Sequence, residues 1–550
     1  MLWEGSIAIK ERNGLYVQVE FMCNNCKSCT TLYSSPKMPT GRRHEINIRL
    51  AIGSTLCGLG RDGVMKLLGA LNLPPPIQEH KYREAQEFVL DYIEKAQEQS
   101  MATAVEEAVA AAGGVRDLVV SGDGAWLTRG YSSLHGIAAL CSTTANPKVI
   151  DTTWSSKNCS KCLGAESLRH TNFDLFSTFQ ENHECQLNFT GTFYELYTNL
   201  LFIISLSNTG ASGAMEKLMI HEMFCRSLSK YKIKYISYVG DGDAKVHNFL
   251  TNNPPYSGVT IKKLEDTNHF AKRMLSRIKK IKQESKGKTL SDGKRFSGKG
   301  RMTDAHAIKF KIYFAKAIRE SKTDLDKLYK KSWAIFNHHY STDREPMHDW
   351  CDSQWCKYLQ ADLKGEQYQH NSKLAIPRAC LDLIKPAFEE LCSPTSLARV
   401  IGGGSQNANE AFHSLLWTMV PKHRFCSTTI LRIGLGLSTI IYNDGYDSLD
   451  KLFTNVFSSA GYYSVECFSR LGMMRKYATS KVKKRRQKSK TTPVTITTAA
   501  SANSSSSGSD DDEIPFIHPN TNSVNLTQDL MDLQLTDDES NSDYEPGGDY

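Results

Sequence analysis

The amino-acid sequence predicts a protein of the α/β class that contains several domains. Its 550 residues exceed what one hydrophobic core normally organises. A hydrophobic content of 40% with 23% charged residues is typical of a globular protein. The third observation is the order of elements, because strand-like runs follow one another near the first third of the chain and then alternate with helical segments.

The first 115 residues are predicted to form a small region with a cysteine cluster and a helix. The run YVQVEFM alternates apolar and polar residues as a short strand does, and three cysteines follow in CNNCKSC. A proline run, LPPPI, separates this part from residues 80–112, which are rich in Ala and Glu at helical spacing. The consecutive glycines Gly113 and Gly114 are expected to end that helix.

Residues 116–269 are predicted to form a mixed α/β core with a Cys/His insert at 155–190. Three strand-like runs come first, then a helix with an apolar face, a strand that ends in GDGD, a short helix and another strand. This is the order of an RNase H-like core, whose first three strands form a meander. The named strands are Leu118–Gly122, Gly136–Cys141, Lys148–Trp154 and Gly258–Leu264, and the apolar helix face carries Met215, Leu218, Met219 and Met223.

The remaining chain is predicted to contain a helical insertion, a return to the core and a tail. Residues 270–400 are helical and basic, with a further His/Cys cluster. Residues 401–475 begin with a Gly-rich loop that leads into the capped helix QNANEAFHSLLW, which completes the core. Residues 476–550 contain the basic run KVKKRRQKSK and then a Ser-, Thr- and Asp-rich segment that is expected to be disordered.

The distribution of charge points to a polyanionic partner. Residues 491–550 contain twelve acidic and no basic side chains, so a net charge of +8 for the whole chain leaves +20 for residues 1–490. Such a basic body favours nucleic acid, and a cationic helix face is expected to contact DNA phosphates, although a solvated face has the same composition. The predicted DNA-binding residues are Lys272, Arg273, Arg277, Lys279 and Lys280.

The sequence argues against a secreted or membrane protein. The start MLWEGSIAI lacks the basic and apolar segments of a signal peptide, and the longest apolar run, LLFIISL, is too short to span a bilayer. Fifteen cysteines in such a chain favour reduced thiols and metal ligands over disulfides. The run KVKKRRQKSK predicts a nuclear location, with a nonspecific DNA-binding tail as the alternative.

Three acids are predicted to form a catalytic metal site. Asp123 follows the first core strand and Asp241 follows the fourth, and these two strands are neighbours in an RNase H-like sheet. Glu410 lies at the start of the later helix. Three carboxylates can hold two divalent cations roughly 3.5–4 Å apart, which is the chemistry of phosphodiester cleavage and joining with Mg²⁺ or Mn²⁺. Asp243 is the alternative second acid, and strand-end turns or helix caps are the alternative role for each acid alone.

Three groups of Cys and His have the spacing of structural zinc sites. Free thiols are the alternative in each case. The first group lies in the polar insert, the second in NHHYSTDREPMHDWCDSQWC, where His338 can replace His339, and the third has no evident fourth ligand. The groups are Cys159, Cys162, His183 and Cys185; His339, His348, Cys351 and Cys356; and Cys23 and Cys26.

Several segments together match a known domain. They are DGAWLTRGYSSLHG, MEKL, YVGDGDAKV, KLEDTNHFAKRM, QNANEAFHSLLW, HEINIRLAIGSTLCGLG and NLPPP. In combination they resemble the Mutator-like transposase domain of animal genomes over about residues 15–445. The resemblance implies a DDE transposase that assembles as a homo-oligomer on DNA. Asp123, Asp241 and Glu410 take the places of its three acids.

The resemblance has one departure, and it leaves rival functions open. The usual Cys-x-x-His after the fifth strand is Asp266-Thr-Asn-His269 here, so His269 is either an active-site residue or a polar residue at a helix start. The main rival is a domesticated or decayed transposase that binds DNA without cutting it. The others are an RNase H-fold exonuclease and a zinc-stabilised nucleic-acid-binding protein.

Overall fold

The computed structural model describes residues 4–128, 133–183, 185–189, 212–241, 244–370, 375–424 and 426–491. The chain separates into two compact units. The first contains Met1–Ala96, Ser414–Val420 and Ile433–Tyr550, and the second contains Gln97–His413 and Pro421–Arg432. No helix among the described residues is both long enough and apolar enough to cross a membrane.

The described residues form eight strands and seventeen α-helices. The strands are β1 Gly5–Asn13, β2 Tyr16–Cys23, β3 Cys29–Tyr33, β4 Asp117–Trp126, β5 His135–Ser142, β6 Val149–Ser156, β7 Lys234–Gly240 and β8 Lys262–Glu265. The helices are α1 Glu45–Leu56, α2 Arg61–Ala70, α3 Glu79–Ala111, α4 Ser160–Thr171, α5 Phe173–Asn182, α6 Ser212–Tyr231, α7 Lys245–Asn252, α8 Thr267–Glu284, α9 Asp304–Glu320, α10 Leu325–Tyr340, α11 Lys357–Asp362, α12 Arg378–Leu391, α13 Pro394–Leu397, α14 Asn407–Met419, α15 Thr428–Asp444, α16 Leu449–Phe457 and α17 Tyr462–Thr491.

The first unit contains a three-stranded antiparallel sheet in the order β1-β2-β3. The predicted strand YVQVEFM is the central one. Gly14 makes the turn between β1 and β2 with a φ of +60°, and a Cβ there would lie 2.6 Å from Asn47 Oδ1. Asn47 in turn accepts from the Leu15 amide and donates to the Asn13 carbonyl, so the turn is bound to α1. Glycine is therefore required by both the backbone angle and the close approach.

Arg49 connects α1 to the end of α16 within the first unit. Its Nε donates to Glu45 at 2.7 Å, and its two terminal nitrogens donate to the carbonyls of Ala460 and Ser459 at 2.7 and 2.8 Å. The guanidinium also lies 4.1 Å from the ring centre of Phe457. These contacts bind the loop between α16 and α17 to α1 and satisfy two of its carbonyls.

The second unit contains a five-stranded mixed sheet in the order β6-β5-β4-β7-β8. Strands β4, β5 and β6 are antiparallel neighbours, whereas β4, β7 and β8 run parallel. The expectation that the first and fourth strands of the sheet lie side by side is confirmed, since Ser121 pairs with Val239. The carboxyl ends of β7 and β8 therefore lie at one edge of the sheet. Strand β4 continues beyond its last pair with β7, Ser121–Val239, as far as Trp126. The prediction that this strand ends at Gly122 with Asp123 after it is therefore wrong, because Asp123 lies within β4 and pairs with Ala139 of β5.

Helix α6 covers this sheet with the predicted apolar face. Met215, Leu218, Met219 and Met223 are all buried there. Gly122 in β4 faces the same core, and a Cβ at that position would lie 2.5 Å from the ring of Tyr238. The close packing of β4 on β7 thus depends on a residue without a side chain. The predicted last strand is shorter than expected, because the structure begins it at Lys262.

Described residues 267–397 form helices α8 to α13. A second core of aromatic and aliphatic side chains, separate from that of the sheet, holds these helices together. The Phe310 ring meets Phe388 edge-on, with ring centres 5.6 Å apart, and Phe270 packs on Phe314 at 5.7 Å. Aromatic pairs of this kind stabilise a core beyond their buried area alone. The acidic tail and the side chains of 481–491, which include the whole basic run, lie outside the described part of the chain.

Candidate active site and metal-binding clusters

Three buried hydrogen bonds hold the start of α14 against β4 and β5. The Ser121 hydroxyl donates to Asn409 Oδ1 at 2.7 Å, and Asn409 Nδ2 donates to the Ala139 carbonyl at 2.8 Å. The Gln406 amide group donates to the Gly122 carbonyl at 2.9 Å. Residues three apart on a helix share a face. Gln406, which directly precedes α14, and Asn409 in its first turn therefore hold the start of this helix against the middle of β4.

Asp266 fixes the two segments that approach the end of β7. Its Oδ1 accepts from the His269 amide at 2.7 Å and so caps α8, while its Oδ2 accepts from the Gln406 amide at 2.8 Å. The loop before α14 passes close over β7. A Cβ on Gly404 in this loop would lie 2.7 Å from the side chain of Val239, so the approach requires glycine. Each acid-bearing segment is thus positioned by buried contacts.

His269 lies between two of the predicted catalytic acids. Its Nδ1 forms an ion pair with Asp241, and its Nε2 lies 3.9 Å from the Glu410 carboxylate. The hydrogen bond from His269 holds the pKa of Asp241 below its ordinary value, and the same bond raises the pKa of His269. Burial raises the pKa of Glu410, and the negative charge of Asp123 adds to that rise.

A second histidine, His413, lies beside the first acid. His413 Nδ1 is 3.5 Å from Asp123 Oδ2, and the residue is 7% exposed. His413 comes one helical turn after Glu410, so both side chains belong to the same region of α14. His413 thus neighbours Asp123, whereas His269 neighbours both Asp241 and Glu410.

The three acids do not form a compact cluster on their own. Within the part of the chain that the structure describes, two groups of at least three potential ligands have all their ligand atoms within 4.8 Å, and both consist of Cys and His. The ring of His269 separates Asp241 from Glu410, and Asp123 has His413 as its neighbour. Asp243, the alternative second acid, lies outside the described residues.

The five cations predicted to bind DNA have different surroundings. Arg273 forms an ion pair with the buried Glu265 at 2.8 Å, and Arg277 pairs with Glu390 at 2.6 Å. Lys280 is 3.9 Å from Glu284, one turn along the same helix. Lys279 is exposed, and Lys272 lies close enough to the acids for its charge to lower the pKa of Glu410.

The predicted cluster in the polar insert comes together between α4 and the end of α5. His183 Nε2 lies 3.0 Å from Cys162 Sγ and 3.7 Å from Cys159 Sγ, and the Sγ atoms of Cys162 and Cys185 are 3.6 Å apart. A tetrahedral zinc ion separates its ligand atoms by about 3.4–3.8 Å. His183 Nδ1 is 3.1 Å from the Phe179 carbonyl, which orients the other nitrogen toward the thiols.

The second cluster contains His338 in place of the predicted His339. The Nδ1 atom of His348 lies 3.3 Å from His338 Nδ1, 3.6 Å from Cys351 Sγ and 3.5 Å from Cys356 Sγ. Adjacent residues of a helix point about 100° apart, so only one of the two histidines can face the loop. His339 instead meets the Phe310 ring edge-on, and burial there lowers its pKa to about 4.

A relay of hydrogen-bonding groups supports this second cluster from behind. His348 Nε2 lies 2.9 Å from the Ser341 hydroxyl and 3.0 Å from His370 Nε2. His370 Nδ1 in turn lies 2.6 Å from the Asp343 carboxylate. A metal-binding histidine normally has its other nitrogen held in this way, which fixes its tautomer and its ring orientation.

The third cysteine group does not form a cluster of three ligand atoms within the described residues. Cys23 ends β2 and Cys29 begins β3, so the turn between them carries Cys26. The Cys26 thiol lies 2.8 Å from the Ser28 hydroxyl. Hydrogen bonds from Ser28 and Cys23 lower the pKa of Cys26 to about 7.

The sequence alone did not identify four residues that shape the sheet edge. Gln406, Asn409 and His413 are spaced three and four apart on α14, and Asp266 precedes α8. The signal that was available is this helical spacing of polar residues, because such residues face a common partner. Their burial reveals that the partner is the sheet and not solvent.

The second unit thus combines a five-stranded mixed sheet, with Asp123 within β4 and Asp241 after β7, with a helical segment and two Cys/His clusters. The family model of Mutator-like transposases matches residues 4–202 and 206–356. The chain therefore belongs to the Mutator-like transposase family, as the resemblance in its motifs indicated. The match includes Asp123, Asp241 and His269 and ends before Glu410. No curated protein matches the chain.

Proposed function

We propose that this chain is a DNA transposase that cleaves and joins phosphodiester bonds with two divalent cations held by Asp123, Asp241 and Glu410. The observation that supports it best is the parallel pairing of β4 with β7. That pairing brings Asp123 and Asp241 to one edge of the sheet, and α14 returns to the same edge with Glu410. DNA at transposon ends and target DNA are the proposed substrates.

The sheet order supports an RNase H-like core. Strands β4, β5 and β6 form an antiparallel meander, and β7 and β8 extend the sheet in parallel from β4. The proposed domain limits follow the predicted ones, with core segments at 116–269 and 401–475 and a helical insertion at 270–400. We assign residues 1–115 to the N-terminal region and 476–550 to the tail.

The donor set fits hard divalent cations. Carboxylate oxygens are the ligands that Mg²⁺ and Mn²⁺ prefer, and three acids supply enough of them for a pair of ions. When bound, the ions activate the attacking water or 3′-hydroxyl and stabilise the leaving oxygen. Asp241 would hold a cation with the carboxylate that now pairs with His269, so the cation and the imidazole would compete for Asp241.

The residues around the acids position them and the DNA. Asp266 and the Asn409 network hold α8 and α14 with their first turns at the sheet edge. The amino-terminal ends of these helices favour a negatively charged phosphate. Lys272 adds a positive charge near Glu410. The exposed Lys279 extends the positive surface along α8 and contacts phosphate without reading sequence.

Zinc is the metal ion that we propose for the two Cys/His clusters. Cys₃His and Cys₂His₂ sets are typical of structural zinc, which leaves no open position for a substrate. The first site braces the insert between β6 and α6, and the second braces the loop after α10. A transposase acts on DNA in the nucleus, and the basic run after residue 480 supports that location. The proposed active form is a homo-oligomer on DNA.

The test is a strand-cleavage assay with the full chain. The substrate is a supercoiled plasmid that carries the genomic sequences flanking the coding region, incubated with Mg²⁺ or Mn²⁺. The unsubstituted chain should nick and join this DNA, and Asp123→Asn should abolish the reaction. Asp117→Asn is the matched control, because Asp117 is an exposed acid at the other end of the same strand. DNA binding without any cleavage would instead support the decayed, non-cutting alternative.

A further inference from the structure

The loop that joins α8 to α9 concentrates positive charge on its surface. Residues 285–303 contain six basic side chains and one acidic side chain. The acid, Asp292, forms an ion pair with Arg301. The other five cations are exposed, and no acid of the described part of the chain forms an ion pair with them. They are Lys286, Lys288, Lys294, Arg295 and Lys299, and we call residues 285–303 the basic loop.

A buried guanidinium holds the basic loop in shape. Arg301 is 6% exposed, its Nε donates to the Arg295 carbonyl at 2.8 Å, and both terminal nitrogens donate to Asp292. The same carboxylate accepts from the backbone amide of Lys294 at 3.2 Å. Thr289 and Arg295 form an antiparallel bridge. The backbone that carries the exposed cations is therefore fixed by its own hydrogen bonds.

The helical core anchors the basic loop as well. Phe296 is 2% exposed and packs in the aromatic core of helices α8 to α13, and Met302 is buried in the same core. The Cys380 thiol of α12 donates to the Phe296 carbonyl at 3.5 Å. A surface that is fixed before a partner arrives loses little conformational entropy on binding.

The absence of nearby acids is the argument for a ligand. Like charges that lie close together repel one another, and this repulsion works against the folded state. Exposed lysines on the neighbouring helices differ, because they pair with acids at 2.5–3.7 Å; these are Lys316, Lys330, Lys331 and Lys385. The phosphates of DNA would relieve the repulsion in the basic loop, and binding them would release condensed counterions.

Helix α8 sets the distance from the basic loop to the predicted catalytic acids. The first turn of α8 carries His269, which contacts Asp241. The helix has 18 residues, so at about 1.5 Å per residue its far end lies about 27 Å from its start. Duplex DNA rises about 3.4 Å per base pair, so this length corresponds to about eight base pairs. The basic loop is therefore too distant to contact a phosphate that reacts at the acids.

We propose that the basic loop binds the phosphate backbone of duplex DNA several base pairs away from the bond that is cleaved. This inference rests on the proposed function, because DNA is the partner in both. The contacts add affinity and fix the path of the duplex without reading its sequence.

The test is the salt dependence of binding of the full chain to a fluorescent duplex of random sequence, in buffer without Mg²⁺ or Mn²⁺. Each phosphate contact contributes about 0.9 to the slope of log K against log salt concentration. Replacement of the four lysines of the basic loop by glutamine should therefore reduce the slope by about 1.8–3.6, for two to four lost contacts. This loop variant carries Lys286→Gln, Lys288→Gln, Lys294→Gln and Lys299→Gln.

The matched control removes the same charge from the paired lysines of α9, α10 and α12. Its slope should change by less than about 0.9, which is one phosphate contact. A loop variant whose slope falls no further than that of the control would overturn the inference. The control carries Lys316→Gln, Lys330→Gln, Lys331→Gln and Lys385→Gln.

Two further measurements separate the possible failures. The loop variant should unfold at the same temperature as the unsubstituted chain or at a higher one, because it removes repelling charges, and a lower temperature would contradict the argument from repulsion. At saturating protein its cleavage rate should be unchanged, and a reduced rate would overturn the placement of the loop away from the reacting bond. An unsubstituted chain that binds DNA with the expected slope but cuts none would refute the proposed function and support the inference. A chain that does not bind DNA would overturn both.

Discussion

Replacement of Asn409 by alanine should loosen α14 from the sheet and so weaken the metal site without removing any acid. Asn409 is fully buried and makes two hydrogen bonds. Its side-chain oxygen accepts from the Ser121 hydroxyl, and its side-chain nitrogen donates to the Ala139 carbonyl. The substitution leaves two buried polar groups without their partner, each at about 1–3 kcal/mol. The expected loss in the free energy of unfolding of the second unit is therefore about 2–4 kcal/mol.

The assay is urea unfolding followed by tryptophan fluorescence, with Mn²⁺ affinity measured on the same preparations. A double-mutant cycle with Ser121→Ala isolates the bond between the two side chains, and its coupling energy should be about 0.5–1.5 kcal/mol. A cycle that gives no coupling, together with unchanged Mn²⁺ affinity in Asn409→Ala, would refute the idea that this bond positions the helix of Glu410.

Three more predictions concern zinc, pH and a buried ion pair. His338→Ala should lower the bound zinc, measured by atomic absorption, from two ions per chain to one, whereas His339→Ala should leave two. The His269–Asp241 pair should stabilise the protein most between the ordinary pKa values of 3.8 and 6.5, because Asp241 is ionised above the first and His269 is protonated below the second. The difference in the free energy of unfolding between the unsubstituted chain and His269→Gln should shrink as pH rises through the elevated pKa of His269. Denaturation curves at pH 5.5 and pH 9 measure this difference. Equal differences at the two pH values would disprove the prediction. Arg226 of α6 lies 2.7 Å from the fully buried carboxylate of Asp151 in β6. Arg226→Met should cost about 3–5 kcal/mol in thermal or chemical unfolding, because it leaves that buried charge without its cation, and a cost below about 1 kcal/mol would contradict the importance of the pair.

The central sheet could be predicted from local patterns. Strands β4, β5 and β6 are short apolar runs bounded by Gly, Asp or Pro, and their burial matches that pattern. Strand β1 was not identified, since nearly all its residues are exposed. Its pairing with β2 comes from the turn at Gly14, which depends on a distant contact with α1.

The details of the candidate site depended on contacts that local patterns do not contain. The partner of Asn409 lies 288 residues earlier in the chain, so an asparagine near a helix start resembled a cap. Of the four residues that spacing suggested for the second Cys/His cluster, His348, Cys351 and Cys356 lie together in the structure. The choice between His338 and His339 depended on the packing of Phe310, a tertiary effect that spacing cannot encode.

The hydrogen bond from the backbone amide of Gln406 to the Asp266 carboxylate joins two residues that are 140 positions apart in sequence. The helical segment between them therefore begins and ends at the same part of the sheet. This segment has its own hydrophobic core, which includes Phe270, Phe310 and Phe388. A change of length in one of its exposed loops is therefore expected to leave the hydrogen bond between Gln406 and Asp266 in place, and with it the junction of α8 and α14.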